Sequence, residues 1–397
     1  MISGTGRSVI AGVESAWGVI ADNSVGKKLR RTRLALNTNK AQFQDDEIRD
    51  DYQKVRPSSG GQKVEGSLEC GLSCGSHQAF FEALLRKTAA SVSSITGVQL
   101  DVSGSGPTYV IHRDSGNFIT DGVRVGMVIR PTAGLTAASL NRNLLVTALD
   151  SDDATVYPLD AGTLTTETNV SSCTIQIPGK RIIVPSTGHI ERSFTIEDLV
   201  SSTFSRQFLG VEIASLALDL SPGANAKATF GFLGKREIND TSAYFVSPTA
   251  LSTNPRLSGP KGVILMEGEV QAVITQVTAN VNGNLSTDDV VGSNYVPAIG
   301  QGSVMGTGQV TMLLVDETFT QKYLDDEPFE LVVYMNETAA ANSDFMLFHF
   351  PDCLATKADI DDSEKLLRQT LPFTFSKKAT TTGYDSTTFA VQDSQYA

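Results

Sequence analysis

The hydrophobic pattern is clearest between residues 61 and 88, which read GQKVEGSLECGLSCGSHQAFFEALLRKT. Apolar or small residues alternate with polar ones from Lys63 to Ser73, and this is the period of a half-buried β-strand. Ser76 can then serve as the N-cap of a short amphipathic helix. The apolar face of that helix is formed by Phe81, Leu84 and Leu85.

The same pattern recurs between residues 302 and 325, which read GSVMGTGQVTMLLVDETFTQKYLD. A second alternating strand precedes a second helix, for which Asp316 can serve as the cap, with Phe319 and Tyr323 four residues apart. Each unit has one predicted strand before it and three after it, in the same order. In the first copy these are 29–37, 192–197, 208–220 and 227–234, and in the second they are 271–281, 329–335, 345–355 and 371–375. The repeat predicts one β-rich fold present twice.

The length and the changes in composition predict how these copies are arranged. A chain of 397 residues is long enough for two or three domains. Short strand patterns separated by Gly, Asp-Gly and Ser-Asp-Asp turns indicate a small β domain inserted in the first copy. The predicted divisions are copy one at 1–97 with 180–246, the insert at 98–179, a Pro-, Ser- and Gly-rich linker at 247–262, and copy two at 263–397. A carbohydrate-binding module is disfavoured for the insert, because Tyr109, Phe118 and Tyr157 form no aromatic platform.

Three further segments fall outside the repeated strands. Residues 1–28 form a predicted arm, in which Trp17 packs either on its own domain or on a neighbouring chain. Residues 38–60 are highly charged and unusually long for a hairpin loop. The Thr- and Ser-rich C-terminal segment from residue 377 is expected to be extended or loosely packed.

Several sequence stretches together resemble the tail tube, or major tail, proteins of long flexible-tailed bacteriophages. They are GVESAWG, LRRTRLAL, DDEIRDD, VEGSLECGLS, RSFTIE, FLGVEIASLALDL and FGFLGK. The resemblance spans nearly the whole chain and rests on the order and spacing of strands and helices. It implies a mainly β protein with two tandem copies of the tail-tube β-sandwich or barrel fold, each with a short flanking helix, plus an inserted small β-barrel-like domain.

The resemblance also implies a function and partners. The chain is expected to be a structural virion protein that polymerises as stacked rings into a hollow tail tube, through which genome DNA passes into the host. Its expected partners are copies of itself, a tape-measure protein and the tail terminator and initiator proteins. Two copies of the fold in one chain favour a trimeric, pseudo-hexameric ring, with a hexamer as the alternative. Assembly is expected in the bacterial host cytoplasm.

Charge fits a conduit better than a nucleic-acid-binding protein. The chain has 44 acidic and 32 basic residues, a net charge of −12 and a pI near 4.9. Binding by phosphate neutralisation needs clustered Lys and Arg, so that class is disfavoured. An acidic surface commonly serves solubility. In a conduit, an acidic wall would also keep a polyanion from sticking.

No enzyme or metal site is predicted. Adjacent acidic pairs, such as those at 152–153, 325–326 and 361–362, are more typical of solvated turns than of paired catalytic carboxylates. Cys70, Cys74 and His77 have no evident fourth ligand for zinc, and no cofactor motif is complete. The sequence has no signal-peptide pattern and no run long enough to span a membrane. The alternatives are a decoration or receptor-binding β protein of a virion and, more remotely, a β-rich hydrolase.

The expected mechanism is structural. Strands 63–73 and 302–314 are predicted to join neighbouring subunits edge to edge into a closed barrel around a lumen. The candidate lumen-lining residues are Glu65, Ser67, Glu69, Thr307, Gln309 and Thr311. Tail tube proteins use a long loop to reach an adjacent subunit or ring, and here the candidate inter-ring residues are Asp45, Asp46, Glu47, Arg49 and Asp50.

Overall fold

The computed structural model describes residues 6–44, 46–51, 53–221, 223–362 and 366–396. The elements before the insert are β1 Ser8–Val13, β2 Lys27–Lys28, β3 Arg33–Phe43, β4 Ser58–Gly71 and α1 Gln78–Leu85. The insert contains β5 Ile95–Ser105, β6 Thr108–Arg113, β7 Val128–Ala133, β8 Leu144–Leu149, β9 Asp153–Pro158 and β10 Glu167–Gln176. After it come β11 Lys180–Ile183, β12 Phe194–Ser201, β13 Phe204–Leu220, β14 Lys227–Gly234 and β15 Arg236–Asp240.

The remaining elements belong to the second half of the chain. They are β16 Gly262–Met266, β17 Glu269–Val270, β18 Ile274–Asn282, β19 Leu285–Thr287, β20 Ile299–Gln301, β21 Met305–Leu313, α2 Thr318–Leu324, β22 Phe329–Asn336, β23 Phe345–Ala355, β24 Asp359–Ile360, β25 Arg368–Phe375 and β26 Ala390–Asp393. The mainly β fold with a short helix in each half is confirmed. Two predicted strands, β14 and β23, have the predicted bounds.

Strand pairing repeats between the two halves. In the first, β3 pairs with β4, β4 with β14, β14 with β13, β13 with β12, and β12 with β1, all antiparallel. In the second, the same sequence of antiparallel pairs is β18, β21, β25, β23, β22 and β16. Leu68 in β4 and Val310 in β21 are equivalent positions. Each lies in the second strand of its copy, which pairs with the first strand on one edge and with the third strand on the other. The halves are therefore two copies of one fold.

The two copies share one continuous sheet through β13. The C-terminal part of this strand pairs with β14 on one side and with β18 on the other, in a register that runs from Ser215 opposite Asn282 to Leu220 opposite Val277. The resulting order is β3, β4, β14, β13, β18, β21, β25 and β23. The prediction that strands 63–73 and 302–314 provide free edges is wrong. β4 lies between β3 and β14, and β21 lies between β18 and β25, so both edges of each strand are already hydrogen-bonded.

A single hydrophobic core lies beneath both copies and is closed by α1. Phe80 and Phe81 of this helix contact Phe230 edge to face, at ring-centroid distances of 5.3 and 5.5 Å, and Phe81 also reaches Phe348 of the second copy at 6.4 Å. Burial of each such ring contributes about 1.5–3 kcal/mol, so the helix joins the copies as well as covering the first.

The helix caps differ from the prediction. His77, rather than Ser76, is the N-cap residue of α1, and it has the left-handed backbone conformation. The Ser76 hydroxyl instead hydrogen-bonds the Ser73 hydroxyl at 2.8 Å. In α2 the N-cap residue is Glu317, while the Asp316 carboxylate accepts a hydrogen bond from the backbone N–H of Thr318 at 3.0 Å.

The insert is a closed six-stranded barrel that packs on the second copy. Its strand order is β10, β5, β6, β9, β8 and β7, and it has a hydrophobic core of its own. Val128, Leu145 and Leu159 of the barrel segment pack against apolar residues of β16, β22 and β23. The Asn143 amide donates to the Tyr334 hydroxyl at 2.9 Å and to the Ser343 carbonyl at 2.8 Å. A segment inserted in copy one is thus fixed to copy two.

Both ends of the described chain form strands that pair within the fold. Within residues 1–28, the expected arm, β1 pairs with β12. Trp17 donates from Nε1 to the Gly210 carbonyl at 3.1 Å and lies 4.4 Å from the Lys235 ammonium group, so this side chain packs on its own chain. The C-terminal segment is not loosely packed, because buried β26 lies between β11 and β23.

The buried C-terminal strand gives a test of stability. Replacing Val391, which is 1% exposed, with Asp should lower the free energy of unfolding by more than about 3 kcal/mol, because an unpaired carboxylate would enter the core. Replacing exposed Thr380 with Ala should change it by less than about 0.5 kcal/mol. Urea unfolding of both variants measures the difference. Equal midpoints would contradict the central position of β26.

Candidate functional site

The predicted lumen residues lie on one face of the continuous sheet. Leu68 and Val310 point into the core, so the residues adjacent to them in β4 and β21 point the opposite way. This opposite face carries all of the candidates, namely Glu65, Ser67, Glu69, Thr307, Gln309 and Thr311. Three strands, β14, β13 and β18, separate the two groups.

The two candidate carboxylates on this face, Glu65 and Glu69, each lie beside a basic side chain. Glu65 lies 2.6 Å from the Lys63 ammonium group and accepts a hydrogen bond from the Asn39 amide at 2.9 Å. The hydrogen bond from Lys63 lowers the pKa of Glu65 below its usual range. Glu69 lies 3.6 Å from the Arg33 guanidinium. Lys63, which does not fit an acidic wall by itself, therefore neutralises a neighbouring carboxylate.

The second copy supplies uncharged polar groups to the same face. Hydroxyl and amide side chains alternate with core residues along β18, β21 and β25. They are Gln276, Thr278, Asn280, Thr307, Gln309, Thr311, Thr370 and Thr374. With the paired charges of copy one, they make a polar surface on which the side chains of Glu65 and Glu69 already have cationic partners.

Two strand edges remain available at the ends of the sheet. Among the described residues, β3 forms strand pairs with β4 alone, and β24 with β25 alone. The chain after β23 continues along β25, because the Thr356 N–H donates to Pro372 at 2.8 Å and the Asp361 N–H donates to Arg368 at 2.9 Å. This segment corresponds to the part of β13 that pairs with β18, and β3 corresponds to β18. The two open edges are therefore equivalent to the two strand edges, of β13 and β18, that pair with each other inside the chain.

The candidate inter-ring loop lies at the end of a long β-hairpin. β3 and β4 stay paired as far as Phe43 and Ser58, which leaves residues 44–57 as the connection. The described candidates on it are all exposed, and they are Asp46, Glu47, Arg49 and Asp50. Asp45 lies outside the described residues. Ile48 at the tip is fully exposed, with a relative accessibility of 103%.

A second hairpin tip has the same form, and the sequence predictions missed it. β19 and β20 pair from Leu285 opposite Gln301 to Thr287 opposite Ile299, with Val291 fully exposed at 107% relative accessibility in the connecting loop. The signal was present in the sequence, since DDEIRDDY at 45–52 and DDVVGSNY at 288–295 share their acidic pair, an apolar tip residue and a tyrosine. This similarity lies in the connecting loops, whereas the predicted repeat rests on strands and helices.

The Cys70, Cys74 and His77 cluster is a packed part of the core. Cys70 Sγ lies 3.9 Å from His77 Nδ1, and His77 Nε2 lies 2.9 Å from the Arg30 carbonyl oxygen. Burial raises the pKa of Cys70 to about 12 and lowers that of His77 to about 4. Within the part of the chain that the structure describes, no three His, Cys, Asp or Glu side chains are placed to hold a metal ion. No helix in that part is long and apolar enough to cross a membrane.

Comparison with known proteins gives the family. A family model described as "Phage tail tube protein" matches residues 4–375. A search of curated proteins found no match to the chain. The family match covers nearly the whole sequence, including both copies of the fold and the inserted barrel. The chain therefore belongs to the phage tail tube protein family, as a structural component of the virion tail that assembles with itself into a tube.

Proposed function

We propose that three chains close into a ring and that stacked rings form the conduit through which genome DNA leaves the virion. One observation supports this proposal: the pairing of β13 with β18 joins copy one to copy two inside the chain, and the same type of strand pairing would join one chain to the next. A sheet that already joins copy one to copy two in this way can join copy two to the next copy one.

The register of the β13–β18 pair inside the chain predicts the register of strand pairing between chains. Leu218 of β13 lies opposite Ala279 of β18. The equivalent positions at the free edges are Ile360 and Leu36, from the matching registers of β25 and β4. Ile360 is half exposed in the single chain, at 50% relative accessibility. Pairing of Ile360 with Leu36 of the next chain would bury it and would remove both open edges of the sheet.

The size of such a ring suits a channel. Three chains supply roughly 24 strands to the barrel. With strands about 4.8 Å apart and tilted by about 40°, the backbone diameter is roughly 50 Å, and side chains reduce the open width to roughly 40 Å. The paired charges and uncharged polar groups of the candidate lumen face offer phosphate no unpaired cluster of basic residues. DNA would therefore slide along this wall without specific binding.

Ring stacking is assigned to the hairpin tips. A closed ring has two different ends, so head-to-tail stacking is a heterologous contact that extends indefinitely. Ile48 and Val291 project one exposed apolar side chain from each copy. In loop one, residues 44–57, the tip is flanked by the candidate residues Asp45, Asp46, Glu47, Arg49 and Asp50. In this arrangement a tape-measure protein and the terminator and initiator proteins set the tube's length and ends, and assembly takes place in the bacterial host cytoplasm.

Electron microscopy tests the ring itself. Negatively stained preparations of the concentrated protein should show hollow tubes, and end-on class averages should show six lobes with three-fold modulation. Rings of six double-lobed subunits would retain the conduit and exclude the trimer. Persistent monomers, even with the initiator proteins added, would contradict tube formation and favour a decorating virion protein.

A charge placed at the proposed joint should block assembly without unfolding the chain. In the monomer, Ile360→Lys places an ammonium group at a partly exposed position, so the melting temperature should stay within about 2 °C. Between chains the same group would be buried, so tube yield should fall at least tenfold. Leu324→Lys, a change at another exposed apolar position, should leave tubes intact. Sedimentation of assembled protein measures both. Normal tube yield from Ile360→Lys would exclude this joint.

Charge reversal on the candidate lumen face should slow DNA passage. Phage carrying Glu65→Lys with Glu69→Lys should keep visible tubes but release DNA several-fold more slowly, because four unpaired cations per chain would bind phosphate. The delay should shrink as salt is raised. A matched control reverses two exposed charges on the insert, Asp114→Lys with Asp150→Lys. Dye fluorescence of released DNA gives the rate, and unimpaired release from the Glu65 and Glu69 variant would contradict the lumen assignment.

A further inference from the structure

Loop two of each chain, residues 288–298, is docked on the first copy. The Gln62 N–H donates to the Asn294 carbonyl at 2.9 Å, and residues 62 and 295 form an isolated parallel bridge. A side-chain carbon at Gly61 would lie 3.0 Å from the Asp289 carboxylate. The Arg236 guanidinium lies 5.9 Å from the Tyr295 ring. Loop two reaches copy one because β18 lies beside β13 in the sheet.

The equivalent surface on the second copy borders a cavity of about 820 Å³. Through the matching registers of β4 with β21 and of β14 with β25, the positions of Gly61, Gln62 and Arg236 correspond to Ser303, Val304 and Lys377. All three of these second-copy residues line the cavity. The docking surface is therefore present twice in the chain, and loop two covers the first instance.

Loop one has features that suit it to the second docking surface, the one that borders the cavity. Its hairpin closes at Phe43 opposite Ser58, the place where the other hairpin has Ser286 opposite Gly300. With the hairpins matched in this way, Asp46 of loop one aligns with Asp289. The same alignment places Asp51 at Asn294, Ile48 at Val291 and Tyr52 at Tyr295. Loop one, however, belongs to the first strand pair of the sheet, which has no earlier copy beside it in the same chain.

Charge also favours this pairing. The cavity lining includes the exposed basic residue Lys377, and its rim includes the exposed Ser303 hydroxyl. Buried Arg86 also lines the cavity, and its guanidinium donates to the Gly302 and Gly283 carbonyls. Loop one brings acidic side chains, among them Asp46 and Asp50. The apolar part of the lining includes Met305, which is 57% exposed in the single chain. The acidic side chains of loop one complement a rim with basic and hydroxyl groups.

We propose that loop one of each chain docks in this cavity of the neighbouring chain within the same ring. The inference rests on the proposed ring and adds a second contact to each strand joint. In the docked state the Val304 N–H donates to the Asp51 carbonyl, and the Asp46 carboxylate accepts a hydrogen bond from the Ser303 hydroxyl. Ile48 stays outside this contact, as Val291 does in loop two, and remains available to the adjacent ring.

Paired cysteines test the docking against a matched internal control. Asp46→Cys with Ser303→Cys should form disulfides between chains in assembled tubes. Gly61→Cys with Asp289→Cys places the same pair at the observed internal contact and should form a disulfide within one chain. The four natural cysteines are buried and free, which keeps them out of exchange. Oxidised samples of tubes and of dilute monomer are compared on non-reducing gels.

The outcomes separate the docking from the ring. In tubes, docking within a trimeric ring gives a ladder of crosslinked species that ends at three chains. In dilute monomer, the variant with cysteines in place of Asp46 and Ser303 stays uncrosslinked. The control pair crosslinks in both samples. A ladder continuing beyond three chains would mean that position 46 of loop one meets position 303 of a chain in another ring, and would overturn the inference. Intact tubes without this crosslink would overturn it and leave the proposed tube function standing. Failure of the unmodified chain to form tubes would overturn the function, and the docking with it.

Discussion

The backbone groups on both edges of a strand can hydrogen-bond another strand, and the rest of the structure depends on β13 using both of its edges. Its C-terminal part pairs with β14 of its own copy and with β18 of the next, so the two copies form one continuous sheet. At the two ends of this sheet, β3 and β24 each keep one open edge in the part of the chain that the structure describes. Open, polar-backbone edges favour addition of another strand, and an identical chain supplies the complementary edge.

The attachments around the sheet hold the two copies in one fixed relation. The barrel is inserted in copy one and packs on copy two, α1 reaches across the boundary through Phe81, and β26 joins β11 to β23. These contacts are made by residues other than the candidate lumen residues of β4 and β21.

Much of this architecture could be predicted from local patterns. Alternation along β4 and β21, and the helical spacing after each, identified the duplicated unit because one face of each strand is buried and the other is not. The open edges could not be identified in this way. Burial alternates similarly in central and edge strands, so the pattern in residues 63–73 does not reveal that β4 is already paired on both sides. Similarly, the polar composition of residues 377–396 concealed β26, whose Gln392 is buried because its amide hydrogen-bonds backbone groups of Val128 and Pro178.

The sequence predicted which polar residues share the candidate face, but it did not predict the charge pairs that they form. The six polar residues do share a face, but Glu65 and Glu69 have basic neighbours that come from β4 itself and from β3, and only the strand register reveals the second of these. Docking of loop two depends on contacts between residues more than 200 positions apart, which no local periodicity reports.

The position of β26 also has a consequence for the order in which the protein folds during synthesis. This strand leaves the ribosome after both of the strands that it joins, β11 and β23, and β11 must wait for about 200 further residues to be translated. The return from the barrel into copy one is therefore completed only after copy two has been made. Sheet edges are thus exposed to other nascent chains before the subunit has its final shape, and the time of that exposure is set by the rate of translation.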